Sequence, residues 1–345
     1  MAPGTLPPPR LVAWETTRVC NLICRHCRAE ACLTPPPGEL DHEEALAFIH
    51  QLAEWSPPPL LILSGGEPLM RQDILELASL ATSLGMRAVL STNGTLLTTE
   101  KALLIKKAGI KRLSLSLDGP DAKSHDSFRG LEGAFDELVK SASILNQVQL
   151  PFQINSTITP GNIGDTFKIL DVARELGACA YHVFLLVPVG RAKNWSEDSL
   201  APEEYESTLR ALKAKEPDMA MEFKATCAPQ YQRISREMGL VSPRSGKGCL
   251  GGQGFMFVSF DGIVGACGYL PIPAGDLRKS HPIEIYNNSE LFCRLRNKEN
   301  YKGNCGSCEY WNICGGCRAR AYAEGDFLGQ EPLCPHQPKA RNIAL

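Results

Sequence analysis

Cys20-Asn21-Leu22-Ile23-Cys24-Arg25-His26-Cys27 holds three thiols in a short segment that follows the apolar run Leu11 to Trp14. Three cysteines at this spacing can hold three corners of a 4Fe–4S cube, which leaves one iron free to bind a small molecule. Zinc is the alternative, but structural zinc takes four protein ligands and catalytic zinc sites commonly include His. His26 directly precedes Cys27 and cannot easily turn to the same metal. The spacing therefore favours an iron–sulfur cluster with one open iron.

Short apolar runs alternate with amphipathic, helix-length segments through the first part of the chain. The six runs are Leu11 to Trp14, Leu60 to Leu63, Ala88 to Leu90, Leu113 to Leu117, Phe152 to Ile158 and Val183 to Val187. Strands that alternate with helices predict right-handed crossovers and a parallel sheet. The expected fold is therefore α/β, a partial (β/α)6 barrel of the TIM type followed by a small cysteine-rich domain.

Distinctive loops follow four of these strands. The cysteine loop follows the first, Ser64-Gly65-Gly66-Glu67-Pro68 the second, Ser91-Thr92-Asn93-Gly94 the third, and Asp118-Gly119 the fourth. The carboxyl ends of barrel strands form the active face, so these loops are expected to converge on one site. Each loop also has an ordinary interpretation, because glycine pairs and Asn-Gly are common in tight turns.

The C-terminal part is rich in glycine and cysteine. Its main motif is Cys305-x2-Cys308-x5-Cys314-x2-Cys317, followed by Cys334, while Cys249 and Cys267 flank a predicted hairpin with its turn at Asp261-Gly262. The four-cysteine run alone could bind zinc. The predicted domains are a barrel at 11–215, a connecting segment at 216–245 and a metal-organised domain at 246–345.

Composition narrows the class of protein. The chain has 345 residues, 14 cysteines and a net charge of −2, which gives no electrostatic case for nucleic acid as its main partner. Disulfide-dense proteins are usually small and secreted, so metal is the better explanation for the cysteines. The N-terminus lacks an apolar signal core and no segment reaches membrane-spanning length, which predicts a cytoplasmic protein that does not bind membranes.

Together, the cysteine triplet, the Gly65-Gly66-Glu67-Pro68 loop and the six-unit pattern resemble the radical S-adenosylmethionine (SAM) enzymes. The C-terminal cysteines resemble the SPASM extension, which carries auxiliary iron–sulfur clusters. The resemblance implies that Cys20, Cys24 and Cys27 hold the cluster that generates the 5′-deoxyadenosyl radical. It implies that SAM is bound by residues from several loops, namely Gly65, Gly66, Glu67, Pro68, Asn93, Ser116, Arg129 and Leu185.

The same resemblance implies one or two auxiliary 4Fe–4S clusters. The first would be held by Cys305, Cys308, Cys314 and Cys334. A possible second would be held by Cys249, Cys267, Cys317 and Cys227. The spacing departs from many family members, because two residues separate Cys314 from Cys317 where three are common.

Several strings, among them Phe152-Gln-Ile-Asn155 and Lys224-Ala-Thr-Cys227-Ala-Pro229, resemble the subgroup of Fe-coproporphyrin III decarboxylases. This implies oxidative decarboxylation of an iron tetrapyrrole to haem b, with electrons from a small protein such as flavodoxin or ferredoxin. His182 is then a candidate iron ligand, and the candidate partners of the substrate propionates are Arg191, Lys224, Arg318 and Arg320. For each of these residues a solvent-facing charge or a packed histidine is the ordinary alternative.

Other functions stay open from sequence alone. Related tetrapyrrole enzymes remove acetates or act in haem d1 formation, and SPASM enzymes also modify peptides and proteins. Sulfatase maturases place an acidic residue where this chain has Gly268, which counts against that activity. A non-catalytic iron–sulfur or zinc protein is the alternative from another class.

Overall fold

The structure, a computed structural model, describes residues 6–193, 201–241 and 246–339. Ten strands form a single sheet. They are β1 (Leu11–Glu15), β2 (Leu60–Ser64), β3 (Ala88–Ser91), β4 (Leu113–Ser116), β5 (Phe152–Ile158), β6 (Ala180–Leu185), β7 (Glu222–Thr226), β8 (Phe255–Val258), β9 (Ile263–Gly265) and β10 (Pro273–Asp276).

Twelve α-helices accompany the sheet in the described ranges. They are α1 (His42–Ala53), α2 (Ile74–Ser83), α3 (Thr99–Lys107), α4 (Ala122–Arg129), α5 (Ala134–Gln147), α6 (Thr166–Glu175), α7 (Pro202–Lys215), α8 (Gln230–Glu237), α9 (Pro282–Asn288), α10 (Glu290–Arg296), α11 (Gly303–Ser307) and α12 (Arg318–Ala323). None of these helices has both the length and the apolar character needed to cross a membrane.

The strand order is β10-β9-β8-β1-β2-β3-β4-β5-β6-β7. Strands β1 to β7 are parallel and in chain order, and β8 adds to the free edge of β1, again in parallel. The sheet stays open, with β10 and β7 at its edges. The predicted α/β partial barrel is therefore confirmed, but the sheet is wider than six strands.

Strand β7 lies in the segment 216–245, which the sequence pattern predicts to be a connection. Its sequence Glu222-Phe-Lys-Ala-Thr226 alternates polar and apolar residues, and it lies at the edge of the sheet, where only one neighbour covers it. The alternation contains only two apolar residues, Phe223 and Ala225, so it is too weak to distinguish a strand from a connecting segment.

The helices bury one face against the outer side of the sheet. Helix α1 begins with a capping box between Asp41 and Glu44, and it packs Phe48 edge-on against Trp14 of β1, with ring centroids 5.4 Å apart. Burial of an aromatic side chain of this size contributes roughly 1.5–3 kcal/mol to folding. Because the helices pack on the outer side, they do not cover the inner side of the sheet.

Alternation along the strands gives the inner side its polar character. In β5 the residues at even positions, such as Ile154, are buried towards the helices, while Gln153, Asn155 and Thr157 face inward and line a cavity. Successive strand residues point to opposite faces, so one strand supplies both core and site.

The C-terminal domain begins with the predicted hairpin. Strands β8 and β9 pair antiparallel across a turn that Gly262 closes with its N–H donating to the Ser259 carbonyl at 3.1 Å. Gly262 has a φ of +81°, a conformation that glycine adopts without steric cost. Because β8 also pairs with β1, this domain is continuous with the barrel sheet.

Candidate active site

A large cavity of about 1210 Å³ occupies the inner side of the sheet. It exceeds the roughly 300–1,000 Å³ of ordinary ligand pockets. Its walls include Cys20, Cys24 and Cys27 at the carboxyl ends of the strands, and Cys249 and Cys267 from the C-terminal domain. The cavity therefore joins the first cysteine motif to part of the second.

The three thiols of the first motif lie together in the loop between β1 and α1. Cys20 and Cys24 are buried, and Cys27 packs against them. Burial raises the pKa of Cys20 to about 11, because an isolated thiolate is poorly solvated there. Thiolates in such a place need a positive charge, which a bound metal centre supplies. These residues fit an iron–sulfur cluster on three thiolates.

Gly65 and Gly66 hold this loop in place by close backbone approach. The Gly66 N–H donates to the Thr17 carbonyl at 2.7 Å, and the Glu67 N–H donates to the Val19 carbonyl at 2.8 Å. A Cβ on Gly66 would lie 2.3 Å from the Val19 carbonyl oxygen. No larger residue fits there, so the glycine pair is required by the cysteine loop itself.

Glu67 is fully buried and accepts three hydrogen bonds. Its carboxylate oxygens receive the Leu69 N–H at 3.0 Å, the Thr92 hydroxyl at 2.7 Å and the Asn93 N–H at 2.7 Å. Burial raises the pKa of Glu67, and these donors oppose the shift. Pro68 is also buried, at the start of a short 3₁₀ helix. The carboxylate thus ties the second loop to the third.

Arg129, at the end of α4, lies between a carboxylate and a thiol. Its Nη2 forms an ion pair with Asp118, and its Nη1 lies 3.7 Å from the Cys24 sulfur. Burial disfavours the charged guanidinium, but Asp118 and Cys24 outweigh it and raise the pKa of Arg129. The Nε atom of Arg129 is buried without a hydrogen-bond partner in the described ranges. A cation with a free donor therefore lies beside the cluster loop.

Two other residues expected to bind SAM also face the cavity. Asn93 donates to the Asn21 side-chain oxygen at 2.9 Å and lies 3.9 Å from the Cys20 sulfur. Ser116 lines the cavity at the end of β4. Leu185 lies in the core with 1% exposure, whereas its neighbour Phe184 faces the cavity.

Seven C-terminal cysteines and Cys227 separate into two groups, and the exposed Cys293 lies outside both. One group, with the neighbours Gly315 and Gly316, lines a small second cavity and contains Cys305, Cys308, Cys314 and Cys334. The other group lines the main cavity and contains Cys227, Cys249, Cys267 and Cys317. Burial, with smaller contributions from the neighbouring thiols of Cys249 and Cys317, raises the pKa of Cys267 to about 12. Each group supplies the four thiols that one 4Fe–4S cluster takes.

Cys227 reaches its group through an unusual backbone conformation. Its φ is +55°, a region that non-glycine residues rarely adopt. Its carbonyl accepts a hydrogen bond from Arg320 at 2.6 Å, which fixes the turn after β7. The sequence offers no spacing signal that would place Cys227 beside Cys249 or Cys317.

All three arginines proposed for substrate binding are engaged within the protein. Arg191 donates to the Cys24 carbonyl at 3.1 Å and to the Ala31 carbonyl, so it holds the cluster loop. Arg320 is 2% exposed and pairs with Glu331 at 2.8 Å. Arg318 lines the cavity but donates to backbone carbonyls and lies 3.4 Å from the Cys305 sulfur.

His182 and Lys224 do face the main cavity, from neighbouring positions on β6 and β7. His182 Nδ1 lies 2.9 Å from Gln153 Nε2. Burial, with a smaller contribution from Lys224, lowers the pKa of His182 to about 4, so the ring is neutral. Arg318 also lines the cavity, but its guanidinium is engaged within the protein, so His182 and Lys224 are the two proposed substrate residues that remain for a ligand.

Some site residues have no motif in the sequence. Glu331 accepts the Cys317 N–H at 2.6 Å and pairs with Arg320, while its own N–H donates to the Cys305 sulfur at 3.3 Å. It therefore lies between the two cysteine groups. Glu331 lies fourteen residues after Cys317, in the loop after α12, where the sequence has no motif beyond the nearby Cys334.

The open α/β sheet, the three thiols at its strand ends and two groups of four thiols define a radical enzyme with auxiliary iron–sulfur centres. Residues 14–176 match the radical SAM superfamily, and residues 249–309 match an iron–sulfur cluster-binding domain, SPASM. An AdoMet-dependent heme synthase of Methanosarcina barkeri is 46% identical over 342 residues, covering 96% of this chain and 97% of that protein.

The chain belongs to the radical SAM superfamily and, within it, to the family of the AdoMet-dependent heme synthases. A Fe-coproporphyrin III synthase of Methanosarcina barkeri is 32% identical, covering 94% of this chain and 87% of that protein. The structure of Streptococcus suis SuiB bound to S-adenosylmethionine shares the fold, with a TM-score of 0.76 at 15% identity over 96% of this chain and 78% of that one. The protein is an enzyme whose cofactors are 4Fe–4S clusters and SAM.

Proposed function

We propose that the protein converts two propionate side chains of Fe-coproporphyrin III to vinyl groups by oxidative decarboxylation and so produces haem b. The relative named AdoMet-dependent heme synthase supports this proposal. The observation that carries it is the single cavity of about 1210 Å³, which extends from the Cys20 triplet to the Cys249 group. A flat tetrapyrrole between these groups would have one edge near each.

The cofactors are assigned to the residues that fit them. Cys20, Cys24 and Cys27 would hold the radical SAM cluster, with Arg129 neutralising its charge. SAM would lie against the loops that end β2, β3 and β4, where its carboxylate would accept from Arg129. The proposed SAM contacts are the expected residues that line the cavity, namely Gly65, Gly66, Asn93, Ser116 and Arg129. Glu67, Pro68 and Leu185 are buried outside this lining and would shape the SAM site indirectly.

When bound, the reduced cluster and SAM supply a 5′-deoxyadenosyl radical that takes a hydrogen atom from the substrate. The propionate that loses a hydrogen atom from its β-carbon must then release carbon dioxide and one electron to become a vinyl group. Two propionates require two such rounds. The cavity walls would shield the radical from bulk water on the sides that they cover.

The released electron needs an acceptor near the substrate. The group Cys227, Cys249, Cys267 and Cys317 lines the main cavity, which makes it the first acceptor site in this proposal. The group containing Cys305 would then pass the electron outward. A small electron-transfer protein such as flavodoxin or ferredoxin would reduce the radical SAM cluster.

Anaerobic incubation with SAM, dithionite and Fe-coproporphyrin III, followed by mass spectrometry, tests the proposal. We expect loss of two carboxyl groups from the porphyrin and one 5′-deoxyadenosine for each. An unchanged porphyrin with SAM cleavage intact would contradict the proposed substrate and redirect the search to peptides. Loss of acetates from a siroheme derivative would indicate the related tetrapyrrole activity.

Two variants separate the roles of the cysteine groups. Cys24→Ala should abolish 5′-deoxyadenosine formation, because it removes a ligand of the radical-generating cluster. Cys308→Ala should reduce haem formation and leave some SAM cleavage. Unchanged haem formation in Cys308→Ala would contradict the electron-acceptor role of that group, with Cys293→Ala, an exposed thiol outside both groups, as the control.

A further inference from the structure

A row of polar side chains crosses the inner face of three neighbouring strands. Asn155 of β5 pairs in register with His182 of β6, which pairs with Lys224 of β7. All three residues line the main cavity. Neighbouring strands lie about 4.7–4.9 Å apart, so one ligand group can contact neighbouring members of the row.

Gln153 determines how two members of this row present their hydrogen-bonding groups. Its Nε2 donates to the Asn155 Oδ1 at 2.8 Å and lies 2.9 Å from the His182 Nδ1. An amide nitrogen has donors only, so the His182 Nδ1 must accept. The proton of the neutral ring is then on Nε2. Asn155, with its oxygen engaged, likewise has its amide N–H groups left for the cavity.

The Nε2 atom of His182 is buried and has no hydrogen-bond partner among residues 6–193, 201–241 and 246–339. Buried polar atoms are nearly always satisfied in native proteins. Because the His182 side chain lines the cavity, a ligand there is the partner that a small rotation of the ring would give this N–H. The low pKa of His182 supports the neutral ring, since a charged ring would direct a second N–H at Gln153.

Lys224 gives the row its charge. It forms no ion pair within the described parts of the chain, and its side chain is accessible from the cavity. The nearest acidic group on its strand, Glu222, is already paired with Arg112 at 3.0 Å. The row therefore presents hydrogen-bond donors and an available positive charge, which suits an anion and disfavours an iron cation.

We propose that Asn155, His182 and Lys224 form a subsite that binds a carboxylate of the substrate, with His182 as a hydrogen-bond donor and not as a ligand of the substrate iron. The subsite deepens the proposed function and rests on it. A carboxylate offers two oxygens that can accept from all three side chains. It would hold one propionate of the tetrapyrrole against β6 and β7.

Equilibrium dialysis of the cluster-containing protein against Fe-coproporphyrin III and against metal-free coproporphyrin III tests the subsite. His182→Ala should raise the Kd of both porphyrins by the same factor, about ten-fold, the size expected for one lost hydrogen bond to a charged group. Lys224→Met should do the same. Neither variant should alter the Kd of the uncharged tetramethyl ester of coproporphyrin III.

The alternative role has a different signature. If His182 binds iron, His182→Ala should weaken the binding of the iron porphyrin and leave that of the metal-free porphyrin unchanged. This result would overturn the proposal. It is also overturned if both variants bind every porphyrin as tightly as the unaltered protein. Failure of the unaltered protein to bind any coproporphyrin would instead remove the proposed function.

Two further variants control for misfolding. His182→Gln keeps an N–H donor but is a poor substitute for an imidazole ligand, so it should restore most of the affinity for both porphyrins. Lys140→Met removes an exposed lysine of α5 that pairs with Glu137 and should leave every Kd unchanged. Equal iron content in all variants confirms that the clusters are intact.

Discussion

At the scale of single residues, the structure gives physical roles that the motifs do not reveal. Gly65, Gly66 and Glu67 form one recognisable motif, but each residue type has its own physical reason. The glycines are required because the cysteine loop contacts them closely, and Glu67 is required because its carboxylate accepts three buried hydrogen bonds. The motif could be found from sequence because its residues are adjacent. The loop with Thr92 and Asn93 could also be predicted to reach the site, but not that these two residues donate to Glu67, because hydrogen bonds between loops depend on the sheet register.

Glu67→Gln tests the carboxylate at constant size. The amide must direct an NH2 group at one of the donors that the carboxylate accepts, so one buried hydrogen bond becomes a repulsive contact. We expect a loss of about 1–3 kcal/mol in the free energy of unfolding. Urea denaturation followed by circular dichroism measures it, with the exposed Glu132→Gln as a control that should unfold like the unaltered protein. Equal stability of the two variants would contradict this role.

Arg318 allows a second test at this scale. Its Nη2 lies 3.4 Å from the Cys305 sulfur, and the Glu331 N–H also donates to that sulfur. Hydrogen bonds and positive charge near cluster sulfurs raise the reduction potential. Arg318→Met should lower the potential of the cluster proposed at Cys305 by on the order of 50 mV, the one-electron equivalent of about 1 kcal/mol.

A redox titration monitored by electron paramagnetic resonance measures this shift. Arg294→Met, at an exposed position on α10, should leave the potential unchanged. A potential that stays constant in Arg318→Met, with the iron content preserved, would show that the guanidinium has no influence on that cluster.

At the scale of elements, apolar periodicity predicts the six strands β1 to β6 and the hairpin of β8 and β9. It misses β7, an edge strand whose alternation contains only two apolar residues, and it cannot predict that β8 pairs with β1. Pairing between strands more than two hundred residues apart depends on which edge stays open after the barrel strands associate, which local sequence does not encode. The convergence of four strand-end loops follows from the parallel topology and could be predicted.

The contact between the cysteine loop and the loop after β2 yields a prediction for Gly66→Ala. The added Cβ would lie 2.3 Å from the Val19 carbonyl oxygen, so one of the two loops must shift. We expect the free energy of unfolding to fall by about 1–3 kcal/mol. We also expect the bound iron to fall by the content of one 4Fe–4S cluster. Chemical iron analysis after reconstitution checks the result.

Gly164→Ala is the matched control, because a Cβ on Gly164 has no neighbour within 4 Å. It should retain the iron content of the unaltered protein. Full iron content in Gly66→Ala would show that the loops can separate without loss of the cluster site.

At the scale of the whole molecule, Arg28 connects the two cysteine-bearing domains. It follows Cys27 in the cluster loop, pairs with the buried Glu15 of β1 at 2.7 Å and donates to the Gly268 carbonyl at 3.2 Å. Its guanidinium also lies 4.8 Å from the ring centroid of Phe257 in β8. One side chain therefore contacts the radical site, the barrel and the domain that carries the auxiliary cysteines.

Arg28→Met keeps most of the side-chain length but leaves Glu15 as an unpaired buried charge. Breaking such a pair typically costs about 3–5 kcal/mol, and partial exposure of Arg28 places the expected loss at the lower end. Urea denaturation measures it, and Arg236→Met on the exposed side of α8 serves as the control. Because Arg28 contacts both domains, the variant should also make the 246–339 region more sensitive to limited proteolysis. Unchanged stability and unchanged cleavage would show that the pairing of β1 with β8 alone keeps the domains together.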